Sequence, residues 1–304
     1  MKKSLKTVAL FSVLACVGIS YAQQEIDACW KFQDKDFQKA IEYGKLAVKK
    51  YPNNPLAYHC LGIAYTKIGD NKLAYNNLKK AETLTNDKKE LMKIDKDIAQ
   101  TLSFMNRSND AITYYNKALS LAKELGDTES QIDILLKMSQ EYLSPNFGKN
   151  GLDKAIAYGE EAVKLEKDEP SKTYAYNLIA TAYHKKGDYQ KEIETLKKIV
   201  DIDKRYKNYG DILTEDVYIG ELYTKMKDYT NAEKYLLEAI EYGKKEKFNE
   251  EEMANAYKDL GDVYKNKGDK KKAKEYYQRA YDIYNSIGQG DLAEQIQKEI
   301  NKLK

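Results

Sequence analysis

Apolar residues recur along this chain at three- and four-residue steps, and small residues mark the same point of the pattern again and again. Ala28, Gly62, Ala99, Ser139, Ala180, Gly220 and Gly261 each sit inside an amphipathic helical stretch, at spacings of 34, 37, 40, 41, 40 and 41 residues. Three residues beyond the small one comes a large one: Tyr65, Leu102, Tyr142, Tyr183, Tyr223 and Tyr264, with Lys31 the exception in the first copy. Twelve beyond comes a second small residue (Ala40, Ala74, Ala111, Ala232, Ala273), and seven further a third (Ala47, Ala81, Ala118, Ala239, Ala280). A fourth copy keeps the last step as Ala155 and Ala162 after four extra residues, and a fifth carries Glu192 and Ile199 in those places.

The period predicts pairs of antiparallel helices. A step of seven is two helical turns, so both alanines of the second helix face one way. Small residues let two helix backbones approach, and the neighbouring Tyr or Leu fills the space beside the contact. The turns are written into the chain too. Gly69-Asp70, Gly126-Asp127, Gly187-Asp188 and Gly268-Asp269 each offer a residue tolerant of positive φ, then a carboxylate able to cap the next helix. Thr128-Glu129-Ser130-Gln131 reads as a capping box. Leu292, Ile296, Ile300 and Leu303 form one stripe of a last helix, whose expected role is to cover the apolar face of the final pair.

In this form the repeat resembles the tetratricopeptide repeat, most plainly in "LAYHCLGIAYTKIGDNKLAYNNLKKAETLTN" from Leu56 to Asn86 and again from Asn255 to Tyr284. The longer spacings, and "ALSLAKELGD" from Ala118 to Asp127, are similar to the long-helix variant of kinesin light chains and bacterial regulatory arrays. The expected fold is all-α: a right-handed α-solenoid of about seven such helix pairs and a C-terminal capping helix. The units are expected near 23–54, 55–88, 92–125, 130–170, 173–206, 213–246 and 254–287, with the cap at 288–304.

Composition agrees with solvated helices: 42% apolar and 33% charged residues, 4 prolines and 16 glycines. At the N-terminus, Lys2, Lys3 and Lys6 precede an apolar run from Val8 to Ile19 and a small-x-small site at Ser20-Tyr21-Ala22. These read as a secretory leader over 1–22, cleaved near Ala22, giving a periplasmic or secreted protein. Val13-Leu14-Ala15-Cys16 also resembles a lipobox, so lipidation of Cys16 is the competing reading, and the one route by which a membrane becomes a partner. The leader holds three of the 51 basic residues, leaving 48 against 48 acidic ones. With no basic excess, nucleic acid is not an expected partner.

In this family the inner wall is lined by the first helix of each pair. The resemblance therefore implies a partner groove containing His59, Ile63, Lys96, Gln100, Lys137, Gln140, Asn177, Thr181, His184, Val217, Tyr218, Glu221, Lys258 and Asp262. Cys29, Phe32, Cys60, Asp97, Leu143 and Asp259 fall at related offsets. The lining is apolar toward the N-terminus and acidic-polar toward the C-terminus. A chaperone-tail clamp of lysines, asparagines and arginine is not matched, since its places hold Glu25, Cys29, Cys60, Lys93 and Asp97.

Cys29 and Cys60 are the two cysteines left after cleavage, and the family's geometry sets them side by side on adjacent units. A disulfide worth about 2–4 kcal/mol, a metal site shared with His59, and two small buried hydrophobes are the readings open for them. Histidines number two, His59 and His184, and no HExxH, GxSxG, phosphate loop or CxxCH is present. The 27 tyrosines fall mostly at packing positions and read as core filler. The insertion Ser144–Gly151 is expected to lengthen a turn, with Phe147 a candidate exposed contact. No enzyme activity and no cofactor are expected. The function implied is a protein-protein interaction scaffold of the cell envelope that binds a partner peptide or helix. The alternatives are a lipid-anchored envelope assembly factor or an accessory subunit of an envelope enzyme.

Overall fold

The computed structural model describes residues 23–246 and 250–303. The expected leader, its expected cleavage site and Cys16 lie outside them. Fifteen α-helices and one 3₁₀ turn make up the described chain, without a strand. They fall into two compact units, the described residues up to 146 and those from 147 onward. The first holds α1 (Gln24–Phe32), α2 (Phe37–Lys50), α3 (Pro55–Lys67), α4 (Asn71–Thr83), α5 (Lys88–Phe104), α6 (Ser108–Leu125) and α7 (Thr128–Tyr142). The second holds α8 (Gly148–Leu165), α9 (Lys172–Lys186), α10 (Tyr189–Tyr206), α11 (Tyr209–Lys225), α12 (Tyr229–Glu246), α13 (Glu250–Asn266), α14 (Lys270–Ser286) and α15 (Gly290–Lys302).

Turns are made by one device used repeatedly. Gly69, Gly187 and Gly268 take φ of +80°, +74° and +82°, a conformation that costs other residues Cβ strain. The aspartate that follows then caps the next helix: Asp70 accepts from Leu73 N–H at 3.1 Å and Asp269 from Lys272 N–H at 3.0 Å. Asn106 and Lys227 take the glycine's place in two pairs, at φ +56° and +62°. At α7 the expected Gly126-Asp127 turn, and not the capping box, supplies the cap. Asp127, not Thr128, accepts from Ser130 N–H at 3.0 Å, because Gly126 at φ +66° already aims Asp127 at the helix start. The Ser144–Gly151 insertion forms the 3₁₀ turn Pro145–Phe147 and the first residues of α8, and Phe147 is half-buried rather than exposed.

Packing explains the small residues. A Cβ built on Gly261 would lie 2.4 Å from Cδ1 of Tyr277, and one on Gly62 would lie 2.7 Å from Cγ of Leu78, so first and second helices touch backbone to side chain. The paired alanines Ala40/Ala47, Ala74/Ala81, Ala111/Ala118, Ala232/Ala239 and Ala273/Ala280 are fully buried. Their tyrosine companions Tyr65, Tyr142, Tyr223 and Tyr264 are buried too, while Tyr183 is half-buried. Within each unit a first helix also meets the next first helix, as α1 meets α3 and α11 meets α13. At the C-terminus α15 lays Ala293, Ile296 and Ile300 against α14, with Leu292 and Leu303 flanking the stripe. No described helix is long and apolar enough to cross a membrane.

Candidate partner-binding groove

In the first unit, the first helices are fastened to one another. Cys29 of α1 and Cys60 of α3 form a disulfide, Sγ–Sγ 1.98 Å, and both are fully buried. Gln33 donates to the Cys60 carbonyl at 2.6 Å beside it. His59, adjacent in sequence, is only 2% exposed. Its Nδ1 lies 2.7 Å from Glu90 Oε1 and its Nε2 2.7 Å from Asp97 Oδ2, both on α5, and Trp30 meets the ring edge-on at 5.3 Å. Burial pulls the imidazole pKa down, but the two carboxylate bonds outweigh it and hold it at about 8. His59 in turn holds the Glu90 carboxyl below its ordinary range.

These contacts correct part of the sequence reading. Cys29, Cys60 and His59 do not line a groove and do not form a metal site, since the sulfurs are joined and both ring nitrogens are bonded. Val217 is likewise buried, at 4% exposure, inside the apolar cluster of the second unit. His59 and Val217 lie three residues before the small residue, an offset shared with the exposed Asn177 and the half-buried Lys258; Glu90 and Asp97 of α5 cover it at His59, and the apolar cluster covers it at Val217. Lys96 has the same offset and is bonded across to Asp133 of α7 at 2.8 Å, with Lys137 at 3.8 Å from the same carboxylate. Ile63 and Gln100 are half-buried, and Gln140 is exposed.

In the second unit the predicted residues come together around two cavities, one on each side of α11. The first, about 290 Å³, is lined by Asn177, Ala180, Thr181, His184 and Lys185 of α9, Glu192 and Leu196 of α10, and Thr214, Glu215 and Tyr218 of α11. The second, about 310 Å³, is lined by Glu221, Thr224 and Lys225 of α11 and Lys258, Asp259 and Asp262 of α13. On α11, Thr214, Tyr218, Glu221 and Lys225 follow at steps of four, three and four, which places them on one face, with Glu215 at its flank.

Polar order in the first cavity centres on Glu192, which is 1% exposed. The Tyr218 hydroxyl donates to its Oε1 at 2.6 Å, and His184 Nδ1 lies 3.0 Å from the same oxygen. Sequence reasoning placed His184 and Tyr218 here but missed Glu192 and Glu215. Glu192 did leave a signal, because it occupies the slot that holds alanine in most of the other copies. Glu215 Oε2 is buried with no hydrogen-bond partner, and its carboxyl is raised to about 7, first by burial and then by Asp203 and Asp211. In the second cavity Asp259, 5% exposed, pairs with Lys258 through Oδ1 and leaves Oδ2 without a partner.

Comparison with known proteins matches the tetratricopeptide repeat pattern at residues 97–125, 173–206 and 213–286. A search of curated proteins finds no match. Among solved structures, the chain is similar to the C-terminal part of a tetratricopeptide repeat-containing protein from Cytophaga hutchinsonii. Identity is 17%, over 87% of this chain and 94% of that one, with a TM-score of 0.67. It is similar to the apo form of RapI at 18% identity, over 88% and 77% of the two chains, TM-score 0.60. A tetratricopeptide repeat protein from Parabacteroides merdae matches at 19% identity over 91% and 98%, TM-score 0.51. At such identities the likeness is one of fold.

Proposed function

The chain belongs to the tetratricopeptide repeat family, and we propose that it is a non-catalytic scaffold that holds a segment of a partner protein along its first helices. One observation carries this reading. Asn177, Thr181, His184, Tyr218, Glu221, Lys258 and Asp262, all picked out as groove positions, surround two open cavities on one run of first helices. Amides, hydroxyls and an imidazole at cavity walls can bond a peptide's side chains and backbone, whereas the second helices spend their small residues on packing.

The compartment we propose is the cell envelope or the exterior, reached through the leader that ends near Ala22. A buried disulfide supports it, because such bonds persist where the surroundings are oxidising. Pull-down from envelope extract, repeated with Gln100→Ala and with Tyr218→Ala, tests the binding face. Tyr218→Ala is expected to lose the partner while retaining its helicity. A partner retained equally by both variants would place binding elsewhere.

A further inference from the structure

Resting on that groove reading, we infer that the cavity between α9, α10 and α11 seats a cationic side chain, lysine or arginine, from the partner segment. Two carboxyl groups form its floor: Glu192 and Glu215 reach it from two helices, and burial with Asp203, Asp211 and Asp216 nearby makes Glu215 hold its proton more tightly, which an incoming cation reverses. Glu192 is already bonded by Tyr218 and His184. Glu215 is not matched in the same way, since its buried Oε2 has no donor. A buried acceptor without a donor is a standing cost, which turning the Glu215 carboxyl toward an incoming N–H removes.

The walls suit the rest of such a side chain. Ala180 and Leu196 offer apolar surface for an aliphatic stem, and the Tyr218 ring stands at the side, where a cation gains from an aromatic face. Close by in the same unit a cation is already held in this way, for Lys225 Nζ, of the neighbouring cavity, sits 4.3 Å from the Tyr189 ring centroid. Lys185 lines the cavity as well, and it is exposed to solvent.

The next cavity continues the sign. Across the two, the carboxylates Glu192, Glu215, Glu221, Asp259 and Asp262 face the lysines Lys185, Lys225 and Lys258. Asp259 repeats the unmatched acceptor, since its buried Oδ2 has no partner. A partner segment with basic residues is therefore the complement of this face, and an acidic one is repelled.

The test uses N-acetyl-arginine amide, N-acetyl-lysine amide and, as an isosteric apolar probe, N-acetyl-norleucine amide, titrated into the oxidised full chain. His184 ring and Tyr218 resonances are followed by NMR. The two cationic probes are expected to shift both saturably, the norleucine probe to shift neither, and Glu215→Gln to weaken the cationic probes about tenfold. Glu221→Gln, in the neighbouring cavity, leaves the His184 response unchanged. Equal responses to all three probes, no saturable response to the cations, or full binding by Glu215→Gln would overturn the assignment. Partner pull-down that still depends on Tyr218 would then show the groove reading surviving without it.

Discussion

Burying an ionised side chain costs several kcal/mol unless partners compensate it, and His59 shows the compensated case. Two carboxylates from one neighbouring helix take both ring nitrogens, so the folded ring keeps its proton to about pH 8 against 6.5 for a free one. The folded value is the higher one, so the stability it contributes is complete below pH 6.5 and disappears as pH climbs past 8. That amounts to about 2 kcal/mol. Urea unfolding of the oxidised chain at pH 6 and pH 9 is expected to show a drop about 2 kcal/mol larger in the parent than in His59→Gln, the raised Glu215 carboxyl adding a fall common to both. A smaller effect belongs to Lys227, held at φ +62° where other turns have glycine. Lys227→Gly should raise stability by about 0.5–1 kcal/mol in the same assay. The sequence makes the turn at Lys227 legible through its repeat phase. It does not make His59 legible as a fastener, because that role depends on how closely α5 laps α3.

At the scale of helices, the small-residue rule has opposite consequences at two glycines. Gly261 faces Tyr277 with no room for a methyl group, and Gly261→Ala is expected to cost about 1–3 kcal/mol through overpacking. Gly210, in the first turn of α11, has nothing within 4 Å of its Cβ position, and Gly210→Ala should gain about 0.5–1 kcal/mol of helix propensity. Thermal unfolding of both variants checks the pair. The Cys29–Cys60 bridge ties α1 to α3, and Cys29→Ser with Cys60→Ser should lower stability by about 2–4 kcal/mol, read as a shifted urea midpoint. Helix pairing was open to sequence reading because alanines seven apart can serve one face only. The α7 cap had two candidates in the sequence, Asp127 and Thr128, and backbone geometry at Gly126 decides for Asp127.

Over the whole molecule, nearly every packing contact within a unit joins helices that are neighbours or next neighbours in the chain. Local contacts make a repeat protein readable from its period, since no distant pairing has to be guessed. Several residues that line the two C-terminal cavities were readable for the same reason: each first helix contributes a fixed stripe. What escaped was the depth of that stripe, which sets whether a residue lines the groove or is covered, as Val217 is. The account's central claim is that a partner lies along the first helices of the second unit. Hydrogen–deuterium exchange of the chain alone and with its captured partner tests this most directly. Added protection in α9, α11 and α13, with α12 and α14 unchanged, is the predicted result. Protection confined to the second helices of the pairs would contradict it.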